Sequence, residues 1–258
     1  MKVKLKNSDY DAMIRGTENT TIMNKIIHKA DTRGSADHGW LKVNHSFSFA
    51  QWHNPDKINF GALRVLNDDT IAGKGGFGTH PHDNMEIITI PLTGALAHKD
   101  SMGNEGTIHA GEIQVMSAGS GVLHSEVNPT DASTNLFQIW IFPNKKDVEP
   151  RYDQFKINMA GMKNSFLQLV SPNQDDKGAW IHQNAYIHMA ELDDGTSLNY
   201  KMHDKNNGIY AMVVEGKMNI ADEELSKRDA IGIWNENDLT FAAQTKSKVM
   251  VLEVPMEF

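Results

Sequence analysis

The sequence predicts an all-β protein built as two tandem barrels, and three observations carry that expectation. Turn-forming residues recur about every eight to twelve positions, the spacing of short strands in a sandwich or barrel rather than of helix-linked parallel strands. Between the turns lie apolar or alternating runs of strand length. The texture then repeats: residues 160–258 carry short runs like those before them, and Leu92-Thr93-Gly94 matches Val214-Glu215-Gly216 when the halves are laid together. The expected division is a polar leader over residues 1–21, a first barrel over 22–147 and a degenerate second barrel over 148–258.

In chain order, Asn44–Trp52 (NHSFSFAQW) places Phe47 and Phe49 on one face and Ser46 and Ser48 on the other, predicting a half-buried strand. Phe60–Asp69 (FGALRVLNDD) predicts another, stopped at Asn67-Asp68-Asp69 because these side chains favour turns. Gly73, Gly75 and Gly78 match the dinucleotide spacing G-x-G-x-x-G. That motif needs a following helix to receive the pyrophosphate; Pro81 and a β-branched run follow instead, so a strand is expected and no nucleotide. Met85–Leu92 predicts a strand. A strand, a turn at Met102-Gly103-Asn104, a second strand and a turn at Ala110-Gly111 come next. A strand from Glu112, a glycine-rich corner, a strand through His124 and a closing strand over Asn135–Pro143 complete the unit, with Val148–Ile157 read as the link out. In the second half LQLV, AYIHMAEL, IYAMVV and VMVLEV predict strands.

The stretch from Gly75 to Pro129 holds two spaced pairs, His80 with His82 and His124 with Glu126. Residues i and i+2 of a strand point to the same face, roughly 6.5–7 Å apart. Two adjacent strands with such pairs would aim three imidazoles and a carboxylate at one point, a metal site made by sheet geometry. Left without an ion, the same groups would be a cluster of half-buried titratable side chains, which is costly. Glu86 shares the even parity of His80 and His82 and is expected on the same strand face. His28, His38, His45, His53, His182 and His188 stand alone and read as surface or satisfied core histidines. Laid on the first half, the second places Met202, Asp204 and Gly208 where His80, His82 and Glu86 stand, with His203 out of phase. No metal is expected there.

Composition narrows the function further. The chain has 258 residues, a net charge of −8 and no cysteine. No Lys/Arg cluster marks a nucleic-acid footprint, and neither disulfides nor thiolate metal sites are possible. No apolar run reaches the ~18 residues of a membrane helix and no apolar segment follows the N-terminal lysines, so a cytoplasmic protein is expected. The hydrolase pattern H-x-H-x-D-H is not met after His80, and no G-x-S-x-G surrounds Ser120.

The spacing resembles the cupin motifs: His80, His82 and Glu86 fit the first, and Gly111, Gly119, His124 and Asn128 fit much of the second. More narrowly, HPHDNMEIIT, SAGSGVLHSEVNP and HGWLKVNHSFSFAQW resemble the pirin family, bicupins with metal only in the N-terminal barrel. The likeness runs from about Met23 to the C-terminus and is strongest over residues 34–150. It implies His80, His82, His124 and Glu126 as ligands of one divalent metal, Fe(II) foremost, with Mn, Ni, Cu or Zn as alternatives. Other cupins use the first-motif carboxylate, here Glu86. The resemblance also implies quercetin 2,3-dioxygenase activity, in which the metal acts as Lewis acid on a flavonol, dioxygen adds and carbon monoxide leaves. Glu126 or Glu86 would be the base for the 3-hydroxyl, and Phe47, Phe49, Phe77, Phe137 and Trp140 an apolar wall. The alternative implied by the family is a metal-dependent regulatory protein that binds a transcription factor or metabolic enzyme.

Overall fold

The computed structural model describes residues 23–258, so the expected leader at 1–21 lies outside the described residues. The regular secondary structure of the described chain is almost entirely strand, with two 3-10 turns at Ala30–Thr32 and Met159–Met162. The strands of the first half are β1 (Asn24–His28), β2 (Gly34–Asp37), β3 (Leu41–His45), β4 (Leu63–Ile71), β5 (Gly76–His82), β6 (Glu86–Thr93), β7 (Ala95–Asp100), β8 (Glu105–His109), β9 (Glu112–Ser117), β10 (Val122–Val127) and β11 (Thr134–Ile141). Those of the second are β12 (Arg151–Lys156), β13 (Leu167–Ser171), β14 (Ala179–Trp180), β15 (Tyr186–Leu192), β16 (Ser197–Lys201), β17 (Asn207–Glu215), β18 (Lys217–Ile220), β19 (Glu223–Ser226), β20 (Ala230–Trp234), β21 (Asp238–Ala243) and β22 (Ser247–Pro255).

They form the expected pair of barrels, each a seven-stranded sheet facing a four-stranded one. The first combines β12-β9-β6-β11-β4-β3-β2 with β5-β10-β7-β8; the second combines β1-β20-β17-β22-β15-β13-β14 with β16-β21-β18-β19. The matched tripeptides mark equivalent corners. Gly94 and Gly216 end β6 and β17 at φ of 73° and 85°, a region where L side chains are strained. A Cβ would also strike Thr134 Oγ1 at the first and Ser247 Oγ at the second.

The two large sheets pack back to back. Ile88, Ile90, Phe137 and Ile139 of the first barrel share one buried cluster with Ile187, Tyr210, Met212 and Leu252 of the second. Strand pairing crosses the boundary expected between 147 and 148. β1, from the first half, pairs with β20, and β12, expected as a link, is a strand paired with β9. A linker reading failed there because Arg151–Lys156 completes a ladder set by a distant strand.

Two further strand expectations are corrected. β3 ends at His45, and Ser46, Phe47 and Ser48 are all buried rather than alternating; Ser48 Oγ donates to Asn54 O and accepts from Asn54 N, both at 2.8 Å, curling the chain into a loop. β4 does not stop at Asn67-Asp68-Asp69 but runs through to Ile71. Tertiary partners override turn propensity here: Asn67 meets His45 at 2.8 Å, and Asp68 meets Arg33 at 3.3 Å and Arg228 at 2.8 Å.

The barrel interiors differ. The second holds a single apolar cluster that includes Leu239, Phe241 and Ala243 of β21, beside the buried polar side chains His188, Asn207 and Glu253. In the first, apolar residues divide into two smaller groups, one around Leu41, Leu96 and Leu136 and one around Ile87, Met116 and Val122. Polar side chains lie between them.

Candidate metal centre

β5 and β10 run antiparallel with His124 directly opposite His80 and Val122 opposite His82. The alternation of β10 turns Val122, His124 and Glu126 into the barrel and leaves Leu123, Ser125 and Val127 outward. A bulge between His124 and Glu126 shifts the register, so Glu126 faces Phe77 of β5; bulges of this kind re-aim a side chain. Three imidazoles converge as a result, with ring centroids 4.4 Å apart for His80–His124, 4.8 Å for His82–His124 and 4.9 Å for His80–His82. One ligand nitrogen from each lies within 4.8 Å of the others. His98, His124 and Glu126 likewise bring one ligand atom each within 4.8 Å of one another.

Both ring nitrogens of His124 are buried without a hydrogen-bond partner. Burial and then the neighbouring His80 push the His82 imidazole down to about 4, and burial with His80, His82 and His98 pushes His124 to about 3. Both are held neutral, the form that binds metal. Burial raises Glu126 to about 7 against the opposing hydrogen bond from Gln138. Orphaned imidazole nitrogens fit a divalent cation held by His80, His82 and His124, and Glu126 is grouped at the same distance with His124 and His98.

Glu86 is not among them. Asn84, between β5 and β6, has φ of 44° and breaks the alternation, so parity does not carry from His82 to Glu86. The carboxyl lies on the face of β6 that carries Ile88 and Ile90 toward the second barrel. There it accepts from Ser117 Oγ at 2.7 Å. Arg151 reaches the same hydroxyl at 3.3 Å while donating to Trp180 O at 2.9 Å.

Further polar groups surround the site, and of these the sequence singled out only His45, as a surface or satisfied core histidine, and Asn67, as a turn residue. A polar row crosses the inner face of the large sheet in register: Gln114, Thr89, Gln138, Asn67 and His45 on β9, β6, β11, β4 and β3. Gln138 Nε2 donates to both oxygens of Glu126, at 3.3 and 3.2 Å, and Gln114 Nε2 lies 3.4 Å from His98 Nδ1. His98 Nε2 is 3.1 Å from Asp100 Oδ2, and its ring stacks on Tyr152 with centroids 4.6 Å apart. His98 and Asp100 are another i, i+2 pair in a strand, so the spacing rule that found the first two pairs would have found this one.

A cavity of about 540 Å³ opens over the histidines. Phe49, Phe77 and Trp140 line it as expected, joined by Trp40, Asp69 and His45. Phe47 and Phe137 instead belong to the core between the barrels. Trp140 packs edge-on against Phe49 and His82, with centroids 5.2 and 4.9 Å apart, and its buried Nε1 has no partner. In the second barrel Glu253 accepts from Tyr200 at 2.9 Å, Asn207 at 2.9 Å and His203 Nδ1 at 2.8 Å, while His188 bonds Tyr200 at 3.1 Å. Among these groups Asn207 Oδ1 alone is buried without a partner.

A family model described as Pirin matches residues 27–141, and one described as the quercetinase C-terminal cupin domain matches residues 168–254. Quercetin 2,3-dioxygenase of Escherichia coli K12 is 39% identical over 231 residues, covering 89% of this chain and 98% of that one. The chain belongs to the pirin family. Another relative of this pirin, a putative quercetin 2,3-dioxygenase of Zymomonas mobilis, is 42% identical over 220 residues, covering 85% of this chain and 93% of the other. Among solved structures, bacterial pirin YhhW of Escherichia coli in complex with nickel(II) superposes with a TM-score of 0.85 at 36% identity, covering 90% of this chain and 99% of that one. The bicupin architecture expected from the sequence is therefore that of the family. Among the described residues no helix is long and apolar enough to cross a membrane.

Proposed function

We propose that this pirin is a metal-dependent dioxygenase that opens the heterocycle of a flavonol such as quercetin. The observation that carries this reading is the aromatic-walled cavity with three histidines and a carboxylate converging in it. Cavities of this kind hold flat, largely apolar ligands whose few polar atoms meet fixed partners. Relatives named quercetin 2,3-dioxygenase over nearly their whole length support the substrate class.

His80, His82, His124 and Glu126 would hold the metal, with Fe(II) as the resident ion. When bound, a divalent metal supplies Lewis acidity to a substrate hydroxyl and open positions for dioxygen. The chain's own residues do the rest. Trp40, Phe49, Phe77 and Trp140 flank the flat ligand and exclude water from it. Gln138 pins both oxygens of Glu126, which favours a fixed ligand over a mobile base.

The test is loss of the quercetin absorbance band in air, with protein reconstituted with Fe(II), Mn(II), Ni(II) or Cu(II), beside His124→Ala. Turnover that requires both metal and His124 is expected, and the rate order identifies the working ion. Metal bound stoichiometrically with no turnover under any ion would overturn the reading.

A further inference from the structure

Asp69 is the second carboxyl of the cavity among the described residues; Glu126 sits with the histidines and Glu86 faces the other barrel. It lies mid-strand in β4, opposite Val43 of β3 and Leu136 of β11, pointing inward. The adjacent Asp68 points the other way and takes both Arg33 and Arg228, so those cations are spent on the inter-barrel side. Asp69 is 4% exposed, and its Oδ1 has no hydrogen-bond partner.

A buried carboxyl oxygen without a partner is destabilising, and an apolar side chain would suit a barrel interior better. Such a group persists where something entering the site completes it. Asn67 and Gln138 of this wall are already engaged, the first with His45 and the second with Thr89 and Glu126, while Trp140 Nε1, also unpartnered, is a donor. Asp69 is left free, beside aromatic walls that accept a planar ligand.

We infer that Asp69 anchors the substrate: its carboxyl hydrogen-bonds a hydroxyl group on the aromatic body of the ligand whose other end meets the histidine site. Asp69 thereby selects hydroxylated planar aromatics over their deoxy analogues. This rests on the dioxygenase reading for the class of ligand but not for the role of the carboxyl.

The experiment titrates quercetin, and flavonols lacking one of its hydroxyls each, into metal-loaded protein without dioxygen, so that bound ligand is not consumed. Tryptophan fluorescence reports binding to wild type, Asp69→Asn and Asp69→Leu, with metal content and melting temperature measured alongside. Asp69→Leu should bind quercetin about tenfold more weakly and bind one deoxy analogue as wild type does, the loss of a single well-made hydrogen bond. Asp69→Asn, which keeps a donor and an acceptor, should stay within about threefold. Asp69→Leu should also melt higher, a stability gain at the expense of binding that a structural carboxyl would not show. Asp69→Ala serves if leucine does not fit. Equal weakening for every analogue, no weakening, or loss of metal from the variant would overturn the anchor while leaving the dioxygenase reading standing. No flavonol binding by metal-loaded wild type would sink both.

Discussion

Gln138 donates one amide nitrogen to both carboxylate oxygens of Glu126, at 3.3 and 3.2 Å, while Thr89 Oγ1 donates to its carbonyl at 3.1 Å. The threonine on one side fixes which end of the amide faces the carboxylate. Groups that orient a ligand typically govern metal affinity by ten- to a hundredfold. Gln138→Leu should therefore weaken metal binding by roughly that factor, measured by competition with a chelator. Thr89→Val should have a smaller effect in the same direction. Unchanged affinity in both would show that Glu126 needs no holding.

His124→Ala removes the buried imidazole of the cluster, whose ring centroid lies 4.4 and 4.8 Å from those of His80 and His82. Metal content should fall to background and turnover with it. The melting temperature of the variant should no longer respond to added metal, whereas wild type gains about 2.7 kcal/mol at a hundredfold excess over Kd. A variant that still melts higher with metal would show that three donors suffice.

Glu86 gives a pH signature separate from activity. Burial pushes its carboxyl from 4.5 up to about 7, opposed by Ser117 and Arg151. The native state therefore keeps a proton that the unfolded chain releases. Its contribution to stability is fully present below about pH 4.5 and is lost as pH rises through 7, on the order of 3 kcal/mol over the window. Glu86→Gln should flatten that part of the stability–pH curve in urea unfolding and leave metal content and turnover unchanged. Loss of turnover with metal retained would return Glu86 to the chemistry.

Asp68 ties the barrels together through Arg33 and Arg228, with all three side chains nearly buried. Asp68→Ala strands two guanidinium groups without a counter-charge, a loss of about 3–5 kcal/mol. Unfolding by urea should shift to clearly lower midpoint, and Arg228→Met in the same background should recover part of it. Additive losses in the double variant would show that the pair is not coupled.

Much of the architecture is legible in the residues because strand alternation and turn chemistry are local. The run from Glu86 to Thr93, the glycine corners at Gly94 and Gly216, and the pairs His80-x-His82 and His124-x-Glu126 follow from spacing alone. The same local logic misplaces Glu86, because one left-handed residue, Asn84, resets the phase. It also ends β4 too early, because the partners that keep Asn67 and Asp68 in a strand, His45 and Arg228, come from elsewhere in the chain.

The sequence by itself determined that this chain is a tandem β protein with a histidine-rich centre in its first half. Only the tertiary structure decided which carboxyls face that centre, that Gln138, His98 and Asp69 stand around it, and that β1 and β12 cross between halves. Periodicity fixes which face of its own strand a side chain takes, whereas long-range strand pairing fixes what that face meets.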